Sequence, residues 1–265
     1  MINKDNGTLE NILNAGKEEF LEKGFLSSSL RNIVKKANVT TGAFYGYFSN
    51  KEALFSGLVE ELAKTVMHMF MESQDEFDSI PDENKRENMG SCSGDCISRC
   101  VEYIYDNFDI FKLIICCSQG TPYEHFIHNM VEVEVESTYR FIEVQRKLGY
   151  EVPEIDKKLC HILASGMFGG MFEIVRHSMP KEEAVVYVKQ LRDFYTAGWE
   201  KIMGLRVDCP QNLIKIYHTF KLLIVCSVGR TYVFNRLTCY ALYRLTGSSH
   251  LVTRRLIIQF IELHM

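Results

Sequence analysis

The residues best suited to chemistry are grouped between positions 40 and 54, as Thr40-Thr41-Gly42-Ala43-Phe44-Tyr45-Gly46-Tyr47-Phe48-Ser49-Asn50-Lys51-Glu52-Ala53-Leu54. The chemistry they suit is contact with a nucleic-acid backbone rather than bond making. Tyrosine hydroxyls and a lysine ammonium suit phosphate oxygens. Gly42 permits close backbone approach, and the Ala43 methyl is of a size to meet a thymine methyl in a major groove. Thr40 suits the N-cap of a short helix. Phe44 and Phe48, four residues apart, fall on its buried side. Thr41, Gly42, Ala43, Tyr45 and Tyr47 are then left to face solvent or ligand.

A second element must position that helix. Leu30, Ile33, Val34 and Ala37 recur at i, i+3, i+4 and i+7 and form one apolar stripe. Asn38 falls where a tight turn needs a left-handed residue, and asparagine tolerates that backbone better than most. Two short helices joined in this way make a helix-turn-helix, whose second helix enters the major groove.

With those residues in view, positions 8–65 resemble the DNA-binding domain of the TetR/AcrR family of bacterial regulators. The family pattern is matched by Phe20, Gly24 and Phe25, by the small residues Ser27-Ser28-Ser29, and then by Ile33, Ala37, Val39, Thr40, Gly42, Tyr45, Tyr47, Phe48, Lys51, Glu52 and Leu54. Asn38 stands where the family usually has glycine, and Gly46 where it often has a larger residue. The resemblance implies an all-α fold: an N-terminal three-helix DNA-binding domain (residues 1–65), then a helical-bundle domain for effector binding and dimerisation (66–204). It implies a ligand-responsive regulator, expected to be a repressor. Its partners would be a double-stranded DNA operator, a small-molecule effector and a second copy of the chain. Expected DNA contacts are Ser29, Arg31, Thr40, Thr41, Gly42, Ala43, Tyr45, Tyr47 and Lys51.

Net charge is −4 and alone does not advertise nucleic-acid binding, but the distribution does more. Residues 1–65 carry eight Lys/Arg against eight Asp/Glu, residues 66–204 carry 14 against 24, and residues 205–265 carry eight against two. A neutral head on an acidic body binds DNA if its cations share a face. Residues 205–265 read as an atypical basic extension. A segment outside the regulator proper is the favoured reading, with a small basic module or extra packed helices as the alternatives.

The middle of the chain reads as helix, with Pro81, Pro122, Pro153, Pro180 and Pro210 at the borders. A linking helix is expected over 51–72, a polar break over 75–93, and helices over 96–108, 109–118, 124–148, 155–177 and 182–203. The last two carry apolar stripes (Leu159, Ile162, Leu163, Gly166, Met167, Gly170, Met171, Ile174; Val185, Val188, Leu191, Phe194, Tyr195, Ile202), with Gly166, Gly169 and Gly170 admitting a close helix. In the family such helices pair across a two-fold axis. Effector contacts are expected from Phe111, Cys116, Gln119, Tyr123, Phe126, Met130, Phe168 and Phe172, with Glu134 and Glu173 as anchors for a cationic compound.

Cys92, Cys96 and Cys100 follow one helix face, but lack the paired spacing of a zinc site, so neither metal nor cofactor is expected. The rival reading is a helical small-molecule-binding or thiol-sensing protein that does not bind DNA specifically. No nucleophile–base pair, phosphate loop or paired carboxylates stand out, so an enzyme is not expected. With no signal peptide and no uncharged apolar run of about 18 residues, the expected location is cytoplasmic, with no membrane partner.

Overall fold

A computed structural model of the chain describes residues 6–89 and 91–205. Among the described residues the structure is helical, without strands: α1 (Asn6–Ser27), α2 (Leu30–Lys36), α3 (Thr41–Tyr45), α4 (Lys51–Ser79), α5 (Asp82–Lys85), α6 (Ser91–Asp106), α7 (Phe108–Cys116), a 3₁₀ turn (Pro122–His125), α8 (Phe126–Lys147), α9 (Lys157–Met171), α10 (Glu173–Arg176) and α11 (Lys181–Ile202). The expectations for the basic extension fall outside the described residues.

The first four helices are built as the spacing predicts. α1 breaks at Gly24, where φ is +70°, and the chain turns toward α2. Ile33 and Val34 of α2, Ala37 at its C-cap, and Ile12, Ala15 and Phe20 of α1 are all buried in one core where the two helices pack. Asn38 takes φ +53° between α2 and α3, which is the left-handed turn its side chain tolerates. Phe20, Phe25 and Phe55 form an aromatic cluster with ring centroids 5.1–5.9 Å apart, Phe55 meeting each of the other two edge-to-face.

α4 differs from expectation. It continues past Glu72 to Ser79 and runs unbroken through position 65/66, so both halves share one helix. The polar run after Asp75 is the solvated face of this helix. Its other face stays engaged with α8: Phe77 stacks on Phe141 at 5.7 Å, and Asp78 pairs with Arg140 at 3.2 Å. Only the short α5 interrupts the chain before α6. The expected helix 155–177 is likewise divided, ending at Met171 before the single turn of α10.

α8 packs on α9, α4 on α6, α7 and α8, and α11 on α6 and α9. The glycines of α9 work inside the chain. A Cβ on Gly166 would lie 2.6 Å from Tyr195 Oη, and one on Gly170 would lie 3.1 Å from Leu191 Cδ2, so both admit α11 of the same chain. A Cβ on Gly169 would meet nothing within 4 Å. The stretch Lys157–Arg176 has the length and composition of a membrane span, with mean hydropathy 1.2; here it packs on α8 and α11.

Candidate nucleic-acid interface and effector cavity

α3 is short, and its two ends are held by different means. At the start, Thr40 Oγ1 accepts from the Ala43 amide at 3.1 Å. From below, Phe44 is fully buried and packs on Phe48 at 5.9 Å. The exposed remainder is Thr40, Thr41, Gly42, Ala43 and Tyr45, with Tyr45 54% exposed. A Cβ on Gly42 would meet only Thr40 Oγ1, at 3.9 Å, so nothing inside the fold demands a glycine there; what it leaves bare is backbone at the outer surface. Tyr47 is half-buried and packed on the core, so its ring is anchored while its edge remains accessible. Arg31 and Lys35 are exposed on α2, and Ser29, at its N-cap, is half-buried.

Lys51 has a structural task that its spacing did not reveal. Its ammonium donates to Phe25 O at 2.6 Å and Ser28 O at 3.1 Å, and sits 4.3 Å from the centroid of the Phe25 ring. It therefore ties the end of α1 to the start of α4. Burial lowers its pKa.

Glu19, passed over in the sequence, orients α2 and hence α3. Ile12, Ala15 and Glu19 fall at i, i+3 and i+7, so the carboxylate is on the buried face of α1, where its side chain is fully enclosed. Burial alone would raise its pKa. Hydrogen bonds from Asn32 Nδ2 at 3.1 Å, the Ser29 amide at 3.2 Å and Lys23 Nζ at 3.4 Å outweigh it, and the net shift is downward. Lys36 Nζ adds an ion pair at 3.6 Å. A carboxyl with a lowered folded pKa contributes stability that is complete above its unfolded value, about 4.3, and is lost as pH falls through the folded value. Glu19→Ala is expected to cost about 1–3 kcal/mol at pH 7. The difference from the parent should shrink below pH ~4, which urea titrations at the two pH values would measure.

The second site is a cavity of ≈ 170 Å³ lined mainly by α4, α6, α8, α9 and α11. Its wall is mostly apolar, including Val66, Phe70, Ile104, Met167 and Val188. Of the eight residues expected from sequence, Met130, Phe168 and Phe172 line it. The other five do not. Phe111 is fully buried in the core beside Tyr103, Cys116 is exposed at the end of α7 and Gln119 beyond it, Tyr123 packs on Phe55, and Phe126 stands behind Phe172 at 5.9 Å. Phenylalanines of a filled core and of a cavity wall share one periodicity, so spacing alone does not separate them.

The polar groups of the wall are few. Glu134 accepts from Gln74 Nε2 at 3.0 Å, and Ser137 Oγ donates to Gln74 Oε1. Burial raises the Glu134 pKa, with the Gln74 bond opposing it. Glu173 is instead paired with Arg176 and His177 away from the cavity. The Trp199 indole N–H is buried with no hydrogen-bond partner among the described residues. Cys96 and Cys100 also reach the wall, their sulfurs 3.9 Å apart. The hydrogen bond from Cys100 lowers the Cys96 pKa to about 7, while Cys100 is raised by the same bond and by burial. The side chain of Cys92 lies outside the described residues.

Residues 12–58 match the model of the bacterial regulatory proteins of the tetR family. YvdT of Bacillus subtilis strain 168, an uncharacterized HTH-type transcriptional regulator, is 44% identical over 62 residues, which are 23% of this chain and 32% of that protein. The HTH-type transcriptional regulator TtgR of Pseudomonas putida is 35% identical over 75 residues, 28% of this chain and 36% of that one. The chain thus spans about a third of the length of these curated relatives. A solved TetR-family regulator from Syntrophomonas wolfei aligns over 76% of this chain and 97% of that one, at 20% identity and a TM-score of 0.45. The similarity to the bacterial regulatory proteins of the tetR family is thus carried by residues 12–58, the segment that holds the helix-turn-helix.

Proposed function

We propose that the protein is a homodimeric repressor that binds an operator through residues 1–65 and is released when a small molecule enters the cavity formed within residues 66–204. The observation that carries this reading is the exposed outer face of α3, a face with no internal partner to satisfy, on a helix whose inner face is rigidly buried. Thr41, Gly42, Ala43 and Tyr45 approach the bases. Ser29, Arg31, Thr40 and Tyr47 hold phosphates, and Lys51 contributes its remaining proton. Dimerisation is supported by the apolar side chains left outward on α9 and α11, among them Ile162 at 63% and Phe194 at 71% exposure. The test is an anisotropy titration against the upstream promoter duplex at two salt concentrations, with a scrambled control. Selective binding with two protomers per site is expected; equal binding to both duplexes, or none, would refute it.

The effector is an apolar molecule bearing one cationic or hydrogen-bond-donating group directed to Glu134. A carboxyl inside an apolar wall gains most from a partner that restores its charge. Glu134→Gln keeps the shape and removes the charge. A fluorescent lipophilic cation is expected to bind the parent, and to bind this variant ~10-fold or more weakly, the usual scale of a charged hydrogen bond. Equal affinity in the two proteins would reject Glu134 as the anchor. By linkage, such a ligand and the operator weaken each other by the same factor.

The Cys96–Cys100 pair supports a second reading, in which a reactive thiolate in the same cavity senses an electrophile or oxidant.

A further inference from the structure

On the solvent side of the α8–α9 crossing, three side chains of metal-ligating type converge. His128 and Glu132 are one turn apart on α8 and exposed, and His161 faces them from α9, half-buried. His161 Nδ1 lies 3.2 Å from Glu132 Oε1. The His128 and His161 rings are 5.9 Å apart and inclined at 62°. One donor atom from each of the three lies within 4.8 Å of the other two.

Two imidazoles and one carboxylate form a nitrogen–oxygen set suited to zinc and its divalent neighbours in the transition series. Bonds of about 2.0–2.2 Å place tetrahedral donors about 3.3–3.6 Å apart. The His161–Glu132 separation is already of that order. The remaining separations, all within 4.8 Å, would close by side-chain rotation. We propose that His128, Glu132 and His161 bind one divalent transition-metal ion of the zinc class, with water in the remaining positions. His125, whose ring is 6.4 Å from that of His128, is a further imidazole close by. A histidine–glutamate surface ion pair would need only one imidazole. Here two, from different helices, face one carboxylate.

The ion would clamp α8 to α9. The nearby thiols are enclosed: Cys96 and Cys100 are buried on α6, and Cys160, which precedes His161 on α9, is fully buried. The site is independent of the DNA-binding reading, and its test does not require an operator.

The test uses the full chain with its cysteines reduced. Co²⁺ binding is followed by visible absorption, stoichiometry by equilibrium dialysis with Zn²⁺, and the clamp by the metal-induced rise in Tm. The variants are His128→Ala, His161→Ala, the double variant, and Cys96→Ser/Cys100→Ser. One ion per protomer is expected at this site. Each single histidine substitution should weaken it ~10-fold or more, the double variant should lose the Tm rise, and the cysteine variant should behave as the parent. Because the histidines are at the surface, the variants are expected to fold, and circular dichroism checks this. Failure of the parent to bind, unchanged affinity in the double variant, or loss of the ion in the cysteine variant would each overturn the proposal.

Discussion

Ala43→Glu is expected to lower operator affinity ~100-fold or more without lowering the stability of the protein. Ala43 is exposed in the first turn of α3, and its amide, not its side chain, makes the capping bond to Thr40. An acidic side chain at that position is compatible with the helix, because the first turn of a helix favours negative charge. The same carboxylate would be carried into a groove walled by phosphates, where juxtaposed like charges cost several kcal/mol, and about 3 kcal/mol corresponds to the stated factor. Affinity and stability are thus expected to separate. Anisotropy reads the first and a thermal melt the second. A variant that melts early would make the affinity loss uninformative, and Tyr45→Ala covers that case: Tyr45 is 54% exposed, so its removal should leave stability within about 0.5 kcal/mol while still weakening the complex. Full affinity in both variants would remove α3 from the interface.

The second large effect is on folding. Phe55→Ala is expected to cost about 3–5 kcal/mol, a substantial part of the 5–15 kcal/mol typical of a folded domain. Phe55 has no exposed surface and packs edge-to-face on Phe20 at 5.1 Å and on Phe25 at 5.4 Å. It also contacts Tyr123 at 6.0 Å, from the turn that precedes α8. One ring therefore joins α1 and α4 to the turn that leads into α8, and its loss should loosen both. Urea unfolding followed by circular dichroism measures the cost. A loss below 1 kcal/mol would mean that the three aromatic neighbours close over the space.

Legibility followed the reach of each interaction. The left-handed turn at Asn38, the Thr40 cap and the burial of Phe44 against Phe48 all involve partners within four residues, and spacing alone located them. Gly24 was matched by resemblance, and its φ of +70° explains why the first helix must break before Phe25. The end of α4 was misjudged because Asp75, Glu76 and Asp78 look like a linker when their helix mates are not considered. Phe77 and Gln74 hold that segment from the other side, against residues some sixty positions away. Lys51 was assigned to phosphate, and its bonds to Phe25 and Ser28 depend on how α1 returns to α4. The glycines of α9 were expected at a junction between copies, yet Gly166 and Gly170 admit Tyr195 and Leu191 of their own chain.

What the sequence determined by itself is a helical chain with a helix-turn-helix near its start, because capping, turn chemistry and apolar periodicity are local and are written into neighbouring residues. Only the tertiary structure decided which apolar residues surround empty space, that Glu19 rather than a turn residue orients α2, and that His128 and Glu132 meet His161. Those outcomes depend on how five or more helices cross. Crossing is set by side-chain shape summed over the whole core, and no short window of sequence contains it.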